Sequence, residues 1–229
     1  MQACSGAFSE AVDPDLNLGP GELSRGVRLD DLQCARASEF YRNLQPLMRF
    51  KGLRQSSRAG ERIIAMQISN FKDMYLAELQ ELVSTEAQLA ESLLQMAEVA
   101  SHPALKEALV RHREQTEVQK ERLVSLLQKH GADPTAHTDQ AMQALIGETG
   151  KMVTMLKGND LRDAGLIASA QRLEHYEIAA YGTAAALAGQ LNLRDDQQTL
   201  HTSLEEEKQT DVLLTQLAKR EINPHAVAA

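Results

Sequence analysis

The chain has 229 residues, 43% hydrophobic and 24% charged, enough for one ordinary domain with an appendage. Aromatics are only 3% and Trp is absent, which argues against an aromatic-rich β-sandwich and a base-stacking nucleic-acid platform. The 32 acidic and 24 basic residues give a net charge of -8, the wrong sign for tracking phosphates, and two cysteines, Cys4 and Cys34, build neither a disulfide framework nor a four-thiolate zinc site.

Composition shifts near residue 65. Residues 1–65 carry 9 Lys/Arg and 8 Asp/Glu, whereas 66–229 carry 15 and 24. The first part holds Pro14, Gly19, Pro20, Gly21, Pro46, Gly52 and Gly60 among scattered apolar residues. It reads as an irregular or disordered extension with a short helix near 30–44, and Met66 is an alternative start. Its scattered arginines, Arg49, Arg54, Arg58 and Arg62, suit a solvated arm. The first residues lack a charged stretch followed by an apolar core, and no run of about 18 apolar residues offers a membrane span. The cysteine usage fits a reducing, cytoplasmic setting.

From Ile68 onward helix follows helix. The first is expected over about 70–100, with Tyr75, Leu79, Leu82, Glu86, Leu89, Leu93 and Met96 at alternating steps of three and four, the seam of a bundle helix. Ser101-His102-Pro103 ends it, and Pro103 suits the first turn of the second helix, about 103–130. Leu105, Leu109, His112, Thr116, Leu123 and Leu127 share one face there, before the stop at Gly131 and Pro134. A shorter helix is expected over about 137–157. The next spans about 161–191, with Ile167, Ala170, Glu174, Glu177, Tyr181 and Ala184 on its seam. The last spans about 194–221, with Leu200, Leu204, Glu207, Asp211, Leu214 and Ala218, and Pro224 closes it. The expected fold is all-α: an antiparallel four-helix bundle over 66–223, one extra short helix between the second and third long helices, and a tail over 224–229. Glu114-Gln115-Thr116-Glu117-Val118 and Lys208-Gln209-Thr210-Asp211-Val212 form a faint repeat, which implies two related helix pairs.

The chemistry lies in what interrupts the seams. Glu86, His112, Glu174, Glu177, Glu207 and Asp211 each stand near mid-helix where an apolar residue is expected. In an antiparallel bundle, mid-helix positions meet at one level. Unpartnered carboxylates in such a layer are costly and take up protons. No seam-facing Lys or Arg stands at that level. Arg113, Arg172 and Lys208 adjoin the seams. A pair of divalent ions is the other remedy, and a layer of Glu with one or two His is the di-iron or di-manganese carboxylate arrangement. Glu174 and Glu177 at i,i+3, and Glu207 and Asp211 at i,i+4, can each serve one cluster.

The stretch from Gln171 to Thr183, with Glu174-His175-Tyr176-Glu177-Ile178-Ala179-Ala180-Tyr181-Gly182-Thr183 at its centre, resembles the central motif of the YciE/YciF-type ferritin-like family, small bacterial stress-associated proteins. Asp163 to Ala170, Ser84 to Leu89, His112 to Glu117 and Leu204 to Asp211 match in the same order. The resemblance covers about 68–221. It implies a ferritin-like bundle with a dinuclear centre of two Fe ions, Mn being possible, and a homodimer. It also implies that Glu86 is the first-helix ligand, that Glu174 and Glu177 are the paired third-helix glutamates, and that Glu207 with Asp211 comes from the last helix. The chain departs from the usual Glu-x-x-His of ferritin-like sites. Gln115 stands where the family often has a carboxylate, Asp211 stands where a His is expected, and the second-helix ligand is His112, Gln115 or Glu117. So anionic a site favours Fe or Mn. The implied function is oxidation of Fe(II) or reduction of peroxide or dioxygen in stress defence. A non-catalytic helical stress or interaction protein is the alternative. Direct nucleic-acid binding is disfavoured by the acidity of 66–229.

Overall fold

The computed structural model describes residues 68–228, and the expected irregular extension over 1–65 lies outside them. The described chain is all helical: α1 Phe71–Val99, α2 Pro103–Lys129, α3 Gln140–Met155, α4 Asn159–Gln190, α5 Arg194–Leu217, a π-helical turn Ala218–Ile222, and α6 Asn223–Ala228. No described residue lies in a strand. None of the described helices is long and apolar enough to cross a membrane.

Local chemistry sets the helix ends. Asn70 caps α1, its side chain accepting from the Asp73 N–H at 3.0 Å. At the end of α2, Gly131 has φ 69°, and the Ala132 and Gly131 N–H groups donate to the Leu127 and Gln128 carbonyls. That is a Schellman closure with glycine at the left-handed position. Asn192, φ 58°, serves the same purpose after α4, with Leu193 and Asn192 donating to Ala188 and Gly189. Asp139 caps α3 by accepting from the Met142 N–H at 2.9 Å, so this helix begins a few residues later than periodicity alone suggests.

The end of the chain departs from expectation. Pro224 does not close the last helix, and 224–228 is not a loose tail. The π turn widens the backbone so that Asn223 N–H reaches Ala218 O, and α6 follows. Pro224 falls in the first turn of α6, where its missing N–H costs little. Ile222, 2% exposed, anchors the turn in the core.

The four long helices pack side by side in the order α1, α2, α5, α4, with α4 returning to α1. Two buried apolar clusters fix their directions. One joins the start of α1 (Tyr75, Leu79) to the end of α2 (Leu123, Leu127), the end of α4 (Tyr181, Ala184) and the start of α5 (Leu200, Leu204). The other joins the opposite ends (Leu89, Leu93, Leu105, Leu109, Leu166, Leu173 and Leu214 among them). Thus α1–α2 and α4–α5 are antiparallel hairpins with short turns. The connection from α2 to α4 must run back along the molecule. The 16-residue α3 makes that crossing against α4 and α1, about 24 Å of helix. Gly165 lets it lie close, because a Cβ there would stand 2.2 Å from Leu156 Cδ1.

The start of α2 is capped from another helix. The Asp163 carboxylate on α4 accepts from the Ser101 N–H at 2.9 Å and the His102 N–H at 2.8 Å, since His102 offers no side-chain cap of its own. Asp163→Ala is expected to cost about 1–2 kcal/mol. In thermal melting this should lower Tm by roughly 2–8 °C for a domain of this size.

Candidate metal centre

Between the two apolar clusters lies one polar layer. Glu86 on α1, His112, Thr116 and Gln119 on α2, Glu174 and Glu177 on α4, and Glu207 on α5 are all buried; Glu86, Glu174, Glu177 and Glu207 are 0% exposed. The 3.6-residue repeat explains the placement. Each residue continues the buried stripe of its helix at steps of three and four, as Glu86 does between Leu82 and Leu89.

One side-chain ligand atom from each of His112, Glu174, Glu177 and Glu207 lies within 4.8 Å of the other three, the one such group among the described residues. His112 Nε2 stands 2.9 Å from Glu174 Oε1 and 3.9 Å from Glu207 Oε2. Yet neither His112 nitrogen is in hydrogen-bond geometry with any partner. Both Glu174 oxygens, both Glu177 oxygens and the second oxygens of Glu86 and Glu207 are equally without hydrogen bonds. Buried polar atoms are normally satisfied. Lone pairs that converge without bonding one another are what a cation site requires. Metal bonds of about 2.1 Å at right angles put neighbouring donors about 3 Å apart, which matches the His112–Glu174 separation. The residues present therefore fit a divalent metal.

Two neighbours hold the carboxylates in place. Tyr181 Oη donates to Glu86 Oε1, and Gln119 Nε2 donates to Glu207 Oε1. The same Gln119 nitrogen lies 3.1 Å from Glu206 Oε2. Gln119 continues the α2 spacing between Thr116 and Leu123, a signal that only its bond to Glu207 makes functional. The spacing of α4 puts Tyr181 on the seam but carries no sign that Glu86 is its partner.

Burial pushes the Glu86 carboxyl up to about 8; the Tyr181 hydrogen bond opposes this and the Glu174 charge adds to it. Glu177 is driven well above the usual carboxylate range by burial, then by the charges of Glu207, Glu86 and Glu174. Glu207 moves the same way, through burial and the Glu174 charge, against the Gln119 hydrogen bond. Glu86 stands outside the four-residue group but is electrostatically joined to it.

Asp211 is not brought into this layer. It is half-buried, accepts from Gln171 Nε2 at 3.2 Å, and stands 3.4 Å from His175 Nε2. Four residues turn a helix about 400°, so a step of four from Glu207 moves Asp211 some 40° round the axis, toward the flank facing α4. Of the second-helix alternatives, His112 joins the cluster. Gln115 is half-buried, and Glu117 pairs with Lys120.

The helices and this cluster define an all-helical protein with a buried histidine–carboxylate centre able to hold a metal ion. Residues 70–227 match the family described as a domain of unknown function (DUF892). Protein YciF of Escherichia coli (strain K12) is 38% identical over 162 residues, 70% of this chain and 98% of YciF. The crystal structure of the E. coli stress protein YciF aligns with TM-score 0.65 at 38% identity, covering 68% of this chain and 99% of that one. The structure of YcfI from Rhodopseudomonas palustris, described as a candidate structural protein, aligns with TM-score 0.64 at 34% identity, covering 66% and 96%. The chain belongs to the YciF-type family.

The raised carboxyls have a consequence for the metal-free protein. Each binds its proton more tightly folded than unfolded, where the reference value is 4.5. Their contribution is therefore complete below about pH 4.5 and is lost as pH rises through the folded value. Tm of the metal-free protein should fall between about pH 5 and pH 8. The slope approaches about 1.4 kcal/mol per pH unit for each titrating group. Glu86→Gln, which stays neutral, should flatten part of that slope; a Tm that rises with pH over this range contradicts the assignment.

Proposed function

We propose that the chain is a ferritin-like four-helix bundle whose polar layer holds a dinuclear centre, two iron ions with manganese as the alternative, on Glu86, His112, Glu174, Glu177 and Glu207. The observation that carries this reading is the convergence of a buried imidazole and buried carboxylates, most of whose ligand atoms find no hydrogen-bond donor or acceptor. A single ion would not engage Glu86, which stands beyond the four-residue group yet adds its charge to it. The reaction class is oxidation of Fe(II) or reduction of peroxide or dioxygen, as part of bacterial stress defence. The E. coli relative is described as a stress protein.

Bound there, an iron pair supplies the redox chemistry. The protein's part is to bind and to exclude. Glu174 and Glu177 offer all four of their oxygens, while Glu86 and Glu207 each have one oxygen tied by Tyr181 and Gln119. The apolar clusters above and below keep bulk water from the layer. Tyr181, at 0% exposure, places its hydroxyl against Glu86, and burial with the Glu86 charge keeps the proton on it. We place the protein in the cytoplasm, working as a homodimer.

A second reading is favoured by the hydrogen bonds that already hold Glu86 and Glu207 and by the description of the R. palustris relative: a non-catalytic helical protein in which the layer holds a structural metal or protons. Elemental mass spectrometry separates them. Wild type purified without added metal, or loaded anaerobically with Fe(II), should contain about two Fe or Mn per chain. The Glu86→Ala/Glu174→Ala variant should contain less than a tenth of that. No stoichiometric metal in wild type after loading removes the first reading. Stoichiometric metal without Fe(II) oxidation or peroxide consumption selects the second.

A further inference from the structure

The polar layer is not equally covered on its two sides. On the α1–α4 side, α3 lies across it. Asp139 accepts from Thr85 Oγ1 at 2.7 Å and from Tyr176 Oη at 2.6 Å, and its carbonyl accepts from Gln88 at 2.9 Å. Thr85 and Tyr176 are the immediate neighbours of Glu86 and Glu177, so this side is bolted at the level of the cluster.

Among the described residues, the α2–α5 side has no such cover. There Glu206, next in sequence to Glu207, is 22% exposed, and Arg122 grips it with two bonds of 2.5 and 3.0 Å. Arg122 is itself 29% exposed and donates also to Ser203 at 3.2 Å. The inner side of Glu206 meets Gln119, whose one nitrogen serves both Glu206 and the fully buried Glu207. Gln119 is 0% exposed, and its carbonyl oxygen has no partner. A file of polar side chains thus runs from solvent to the cluster: Glu206, then Gln119, whose Nε2 faces both carboxylates and whose partnerless carbonyl takes that place when the amide turns over, then Glu207. Carboxylate and amide carbonyl oxygens are the ligands that hard divalent ions take.

We propose that divalent cations reach the centre through this side, with Glu206 as the outer carboxylate, Arg122 as the latch on it, and Gln119 as the residue that passes the ion to Glu207. The inference rests on the metal-binding reading above. The cation competes with the guanidinium for Glu206, so opening the latch and capturing the ion are one exchange of partners.

Loading kinetics test it. The full chain is mixed with Co(II) in a stopped-flow instrument, binding is followed by visible absorbance, and final stoichiometry is measured separately. Glu206→Gln should slow loading about tenfold or more, as loss of a steering charge does, with wild-type final stoichiometry. Arg122→Gln should speed it by a similar factor at low salt, again with stoichiometry unchanged. Arg122→Lys, which keeps the charge but loses the two-pronged grip, should also load faster and stands in if Arg122→Gln melts below the working temperature. Glu174→Gln, by contrast, should lose stoichiometry. Wild-type loading rates in both Glu206→Gln and the folded Arg122 variant, with Glu174→Gln still losing metal, overturn the ingress path alone. Failure of the wild-type chain to bind Co(II) at all overturns this path together with the metal-binding reading.

Discussion

Four carboxylates and an imidazole share one buried layer, and the rest of the molecule is arranged around that cost. Glu86, Glu174, Glu177 and Glu207 have no exposed surface. Their charges cannot be left unpaired in such surroundings, so the layer is completed by protons or by cations. Neither supplies folding stability without the apolar clusters on either side, which hold the four helices in register whatever the layer contains. Hairpin turns closed by Gly131 and Asn192 bring each helix back antiparallel. That geometry puts the middles of α1, α2, α4 and α5 at one height.

The seams were legible because steps of three and four bury one face whatever residue occupies it. A Glu on such a stripe goes in with its leucine neighbours, as Glu86, Glu174, Glu177 and Glu207 do. Asp211 shows where that reasoning ends. A stripe drifts round a straight helix, and a short side chain near its edge finds Gln171 and His175 before it finds the core. Bonds across helices were not legible in the same way. Asp163 capping α2 and Asp139 fastening α3 depend on which residues meet over 60 or 50 positions of chain. Spacing along one helix carries no information about that. The π turn before Pro224 was hidden for a related reason. A proline marks where regular bonding must change, but only packing of Ile222 decides whether the chain leaves or widens its turn and continues.

Belonging to the YciF-type family fixes the fold without fixing a reaction, since helical bundles of this shape host several chemistries. The residues that separate them are the ones that decide which oxygens are free. Histidine is scarce: His112 alone joins the group. A site so rich in carboxylate holds hard, oxygen-seeking ions in preference to soft ones.

The carboxylates themselves fall into two kinds. Glu86 and Glu207, on α1 and α5, each have one oxygen fixed by a neutral donor, Tyr181 or Gln119. Glu174 and Glu177, three residues apart on α4, have no such neutral donor, Glu174 meeting only His112 Nε2 at 2.9 Å. A tethered carboxylate keeps its direction when the charge in the layer changes; an untethered one can swing to follow it. The division puts the fixed carboxylates on helices either side of α4 and the adjustable pair between them. A layer meant only to be filled once would gain most from tethering every oxygen. One that leaves four oxygens of a single helix without hydrogen bonds lets those side chains turn as its charge changes while the bundle stays still.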